Sequence, residues 1–214
     1  MRRTLLCTAL LVVVTVSAVT AQVAAVLSPA EQSKLDGGIP PYTDADVDFM
    51  QGMIGHHGQA LVMARWAGDH GARADIQRLA QRIEVAQSDE IAFMQAWLRN
   101  RKQHAPEPSE HHTMHQMPDG VTMRDDEMLM PGMLTAAQLA ELDNTRGSDF
   151  DRLFLAFMIR HHEGAIMMVE TLFGATGAGQ DDDIFKFASD VSVDQTTEVD
   201  RMELMLKSMP KASR

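Results

Sequence analysis

Apolar residues recur at spacings of three and four along four stretches of the chain, about 44–67, 72–101, 149–173 and 182–208. That is the period of a helix with one buried face. Thr43-Asp44-Ala45-Asp46 and Ser148-Asp149-Phe150-Asp151 each place an acid three residues after a hydroxyl, which predicts a capping box at the start of the first and third stretches. Gly68 to Gly71 and Gly174 to Gly179 break them. Thr135-Ala136-Ala137-Gln138 predicts a short extra helix running to about Arg146. Residues 22–42, with Gly37-Gly38 and Pro40-Pro41, predict a flexible lead-in.

The four stretches are two copies of one unit. Met53-Ile54-Gly55-His56-His57 through Met63 lines up with Met158-Ile159-Arg160-His161-His162 through Met168 at an offset of 105 residues, and Asp46 and Phe49 line up with Asp151 and Phe154. Ile76, Ala80, Gln87, Glu90, Met94 and Leu98 line up with Ile184, Ala188, Gln195, Glu198, Met202 and Leu206 at an offset of 108. Two blocks in one order with a small slip in the turn mean a duplicated helical hairpin. Two hairpins that each expose an apolar stripe predict an all-α four-helix bundle with a long crossover. The expected layout is hairpin 43–101, crossover 102–134, short helix 135–146 and hairpin 148–209, one domain over 43–209.

Polar residues stand inside the stripes. Gln87 and Glu90 share a face with Ile76, Ile83 and Met94, and Gln195 and Glu198 share one with Ile184, Val191 and Met202. A carboxylate on a core face is costly unless something binds it. On the first helices His57 lies one turn from Met53 along one flank, while His56 and Met63 line the other; Met158, His161, His162 and Met168 repeat the set. Two readings of these residues stand. Met at helical spacing fills gaps in cores, and a buried His bonds to a buried Glu. Alternatively, imidazole and thioether are metal donors, with Gln87, Glu90, Gln195 and Glu198 holding the imidazoles.

Composition narrows the classes. Aromatic residues are 5 % of the chain, poor for a β core, and 45 % hydrophobic against 23 % charged excludes global disorder. A net charge of -11 argues against nucleic acid and anionic membranes as partners. Met1-Arg2-Arg3, the apolar run Leu5 to Val19 and the small residues around Ala21 predict a secretory signal over residues 1–21. Its cleavage would remove Cys7, the one cysteine, leaving no thiolate for zinc, iron–sulfur or nucleophilic chemistry. The expected product is extracytoplasmic, periplasmic or secreted, and not inserted in the membrane.

The crossover then favours metal. It carries His104, His111, His112, Met114, His115, Met117, Met123, Met128, Met130 and Met133 among Pro, Asp, Glu and Gly. A loop has no core for methionine to fill. Thioether suits Cu(I) and imidazole accepts either oxidation state, so copper is the expected ion. His70, by itself in a turn, reads as solvated.

Phe49, Met53-Ile54, His56-His57, Ala60 and Met63, followed by Gln87, Glu90 and Met94, resemble the CopM-type ferritin-like domain family, long catalogued as a domain of unknown function. Pro131-Gly132-Met133-Leu134-Thr135, Gly147 and Asp151 to His162 extend the likeness over about residues 42–209. The resemblance implies a ferritin-like four-helix bundle and extracytoplasmic copper binding in copper resistance. By motif match it carries ligand roles onto Met53, His56, His57, Met63, Met158, His161, His162 and Met168. Gly55 stands where the second unit has Arg160, which predicts unequal halves.

The expected function is therefore a non-enzymatic copper-binding protein that sequesters or chaperones the ion, in exchange with another copper-handling protein. Its metal donors are the eight helix residues with His111, His112, Met114, His115 and Met117. A ferritin-like di-metal oxidase is the first alternative, but no Glu-x-x-His occurs on the main helices and Glu163 falls off the inward face. The second alternative is a module whose His–Glu layers only stabilise the bundle.

Overall fold

The computed structural model describes residues 41–109 and 129–210, which are helical without strands: α1 Asp44–Asp69, α2 Ala74–Asn100, α3 Ala136–Asp143, α4 Gly147–Gly174 and α5 Asp182–Ser208. The predicted signal, the lead-in up to residue 40 and the crossover residues His111, His112, Met114, His115, Met117, Met123 and Met128 lie outside the described residues.

Capping chemistry sets the helix starts. Thr43 Oγ1 accepts the Asp46 N–H at 3.3 Å while the Thr43 N–H donates to Asp46 Oδ2 at 2.7 Å. Thr135 and Gln138 do the same for α3, at 3.2 and 3.0 Å. The box predicted at Ser148 does not form. α4 begins earlier, at Gly147, and its N-cap residue Arg146 makes no side-chain cap. Asp151, the acid that box required, instead accepts the Arg73 N–H at 3.1 and 3.3 Å and so holds the start of α2. Asp46 has an equivalent long-range bond, its Oδ1 accepting the Gly179 N–H at 2.7 Å in the turn before α5. The first helix of each hairpin thus anchors the turn of the other. α3 ends at Asp143, short of Arg146, because Thr145 Oγ1 and the Arg146 guanidinium take the carbonyls of Leu142 and Asp143. Asp46→Ala should cost about 2 kcal/mol, since it removes a cap and a buried acceptor together; urea unfolding measures it, and a loss under about 0.5 kcal/mol contradicts this role.

Packing divides the bundle along its length. α1 lies along α2, α4 lies along α5, and the hairpins meet through α1 and α4. One apolar core joins the early part of α1 (Phe49, Met53, Ile54) and late α2 (Met94, Leu98) to late α4 (Val169, Leu172) and early α5 (Ile184, Val191). The other joins late α1 (Ala60, Met63) and early α2 (Ile76, Ile83) to early α4 (Phe150, Phe154, Met158) and late α5 (Met202). Full burial of each large side chain contributes about 1.5–3 kcal/mol. Between the two cores every long helix crosses the middle of the bundle, and there the sequence stops being apolar.

Candidate metal centre

His56 and His57 of α1, Gln87 and Glu90 of α2, His161 and His162 of α4, and Gln195 and Glu198 of α5 occupy that middle level, each between residues of the two cores along its own helix. The duplication is visible in the geometry. His57 Nε2 lies 2.6 Å from Glu90 Oε2, and His162 Nε2 lies 2.7 Å from Glu198 Oε2. Within each His pair the ring centroids are 6.4 Å apart at 57°. The halves meet where His56 and His161 face each other, 3.8 Å between centroids. All four imidazoles are fully buried.

Hydrogen bonding fixes three tautomers. A carbonyl only accepts, so His56 Nε2–H donates to Pro131 O at 3.0 Å. With Glu90 and Glu198 as carboxylates, His57 and His162 also carry the proton on Nε2. None of the three Nδ1 atoms has a hydrogen-bond partner. Both ring nitrogens of His161, both amide atoms of Gln87 and the Gln195 Oε1 are unpartnered too. A buried polar atom without a partner costs about 1–3 kcal/mol, and this layer gathers several at one level. Carboxylate–imidazole pairs that leave the far nitrogen free are the arrangement that orients a metal-binding His. The donor set therefore fits a soft or borderline ion.

Burial keeps His56 and His161 neutral. It pushes His56 down to about 3, aided by the neighbouring His57, and pushes His161 well below the usual imidazole range, aided by His56 and His162. A neutral imidazole offers its lone pair to a metal with no proton to displace. The same shifts govern the metal-free protein. Unfolded histidine protonates near pH 6.5, whereas these two stay neutral when folded. The unfolded chain then binds more protons, so stability is complete above about pH 6.5 and falls as pH drops toward the folded values, by up to about 1.4 kcal/mol per unit for each ring. Asp151 and Asp194, whose carboxyls burial raises, oppose the slope at its acid end. Urea midpoints of metal-free protein should fall from pH 7 to pH 5; unchanged midpoints contradict this.

The methionines divide. Met53 belongs to one core, Met63 and Met158 to the other, all fully buried beside the histidine level. Met168 is partly buried against the first core. Among the described residues no three His, Cys, Asp or Glu side chains are grouped to hold a metal ion. Glu163 is exposed, and among the described glutamates only Glu90 and Glu198 bond to the buried imidazoles.

Both described ends of the crossover dock on the helices. The carbonyls of His104 and Pro106 accept from Gln51 and Gln95, at 2.8 and 2.9 Å. Beyond the undescribed part, Leu134 exchanges two bonds with the buried Gln59 side chain, at 2.7 and 2.9 Å. Sequence reasoning missed Gln59 and the Pro131 carbonyl; the signal was a glutamine following His56-His57 on an otherwise apolar face. It also misread His70. That ring is buried, bonds Asp143 through Nε2 at 2.9 Å and stacks near Trp66 and Phe150, because α3 folds over a turn that would otherwise face solvent.

No described helix is long and apolar enough to cross a membrane. Comparison with the curated proteins returns no match. Among solved structures, a DUF305 fragment from Deinococcus radiodurans is 28% identical with a TM-score of 0.65, covering 79% of this chain and 100% of its own. A DUF305 protein from Streptomyces coelicolor, described as a proposed secreted protein, is 25% identical with a TM-score of 0.62, covering 76% and 92%. CopM in its Cu(II)-bound form is 26% identical with a TM-score of 0.56, covering 76% and 95%. The family described as a domain of unknown function, DUF305, matches residues 46–206, a stretch that takes in both His pairs and their Glu partners, and the chain belongs to that family.

Proposed function

We propose that this protein binds copper outside the cytoplasm and sequesters it or passes it to another copper-handling protein, without catalysing a reaction. The observation that carries the reading is the duplicated set of buried imidazoles whose Nδ1 atoms have no partner. A purely structural His–Glu layer would be expected to use both nitrogens of each ring. Copper is the cargo, and it accepts imidazole in either oxidation state and thioether as Cu(I). The likeness to CopM, solved with Cu(II) bound, supports the choice of ion. The signal pattern of residues 1–21 and the secretion proposed for the Streptomyces coelicolor protein support the compartment.

In this reading Glu90 and Glu198 hold the rings, His56, His57, His161 and His162 supply nitrogen, and Met53, Met63, Met158 and Met168 supply sulfur. His111, His112, Met114, His115 and Met117 add a second set of donors. An anaerobic Cu(I) titration against a chromophoric chelator tests it. Protein lacking residues 1–21 is compared with a variant carrying His111→Ser, His112→Ser, Met114→Ser, His115→Ser and Met117→Ser. Effective competition by both places the main sites on the helices. Competition lost only in the variant moves them to the crossover. Failure of both to compete ends the copper reading.

A further inference from the structure

The two halves of the bundle differ beside the histidine layer. Gly52 lies one helical turn before His56 and on the same face of α1. A side chain there would meet Met130 Sδ at 3.2 Å and Met168 Cε at 3.4 Å from its first carbon. The ends of two methionines, one from the crossover and one from α4, therefore converge over a position that has no side chain. Both residues are partly exposed, unlike Met53, Met63 and Met158. Met130 is also held in place by its neighbours. The next residue, Pro131, accepts the His56 Nε2–H through its carbonyl, and its backbone lies against Gly164.

The corresponding position in the second half, at the same offset of 105, is Phe157. It carries a large side chain, partly buried against the second core, and the Arg160 guanidinium stands 5.6 Å from the ring centroid. A fixed cation next to that position repels a metal ion. Arg160 is itself committed to Met133 O and Gln138 Oε1, at 3.1 and 2.9 Å. The first half has Gly55 in its place.

We propose that Met130 and Met168 form a capture site for a monovalent soft ion, Cu(I) or Ag(I), above Gly52, in the first half of the bundle only. The two thioethers are the donors that such an ion prefers. The unpartnered Nδ1 of His56 lies one turn deeper, so an ion taken at the rim has a nitrogen donor next along its way inward. This deepens the copper-binding reading and rests on it.

The test uses full-length protein labelled with 13C at the methionine methyls and titrated with Ag(I), which is redox-inert. The Met130 and Met168 signals, identified with Met130→Leu and Met168→Leu, should shift first, below one equivalent. Leucine keeps the volume, so the fold should survive, and thermal unfolding checks this. Gly52→Phe, which copies the second half, should abolish those early shifts while later ones persist. Early shifts at other methionines, or early shifts unchanged in Gly52→Phe, overturn the proposal and leave the copper reading standing. No shift of any methionine methyl or histidine ring signal defeats both.

Discussion

Gly164→Ala is expected to destabilise the protein by about 3 kcal/mol or more. The added methyl would stand 2.0 Å from Pro131 O and 2.7 Å from Gly132 Cα, both backbone atoms with no rotamer to change. The segment 131–134 must lift from α4, and the bonds from His56 to Pro131 and between Gln59 and Leu134 go with it. Gly68→Ala is the control. Gly68 also lies in a helix, with nothing within 4 Å of the added atom, so that change should stabilise by about 0.5–1 kcal/mol. Urea unfolding of the two variants measures the contrast. Equal stabilities would mean that the crossover is not seated against α4.

Arg101→Met should cost about 3–5 kcal/mol, a large share of a typical domain's stability. Arg101 closes the end of α2, and Asp181 caps the start of α5 through the Ile184 N–H at 3.1 Å. Their side chains meet at 2.6 Å with both buried, and the guanidinium stacks 4.0 Å from the Trp97 ring centroid. Methionine keeps much of the stem's packing but leaves the carboxylate unpaired in a dry place. Adding Asp181→Asn removes that charge while retaining a cap, so the double variant should recover part of the loss. A single-variant cost below about 1 kcal/mol, or no recovery in the double variant, contradicts the pair as the link between the hairpins.

These contacts mark how far the sequence was legible. Periodicity reports which face of a helix is buried, so the stripes carrying Gln87, Glu90, Gln195 and Glu198 could be read, and the repeat placed His57 and His162 in equivalent settings. Thr43 and Thr135 form their boxes because a capping box is a contact over three residues. The Ser148 box fails because Asp151 is taken by Arg73, far away in the chain. Arg101 with Asp181, His70 with Asp143 and Gln59 with Leu134 join residues 73 to 80 apart. No local pattern encodes such pairs. The inequality of the halves was legible in part: Gly55 against Arg160 showed it, whereas Gly52 against Phe157 gained meaning only when Met130 was found above the glycine.

The proposal that the buried imidazoles and thioethers take copper as ligands is tested most directly by X-ray absorption at the copper edge of metal-loaded protein, with no substitution needed. The predicted first shell contains imidazole nitrogen, recognised by ring multiple scattering, together with sulfur when the ion is Cu(I). A shell of oxygen and non-imidazole nitrogen, without sulfur in either oxidation state, would contradict the account.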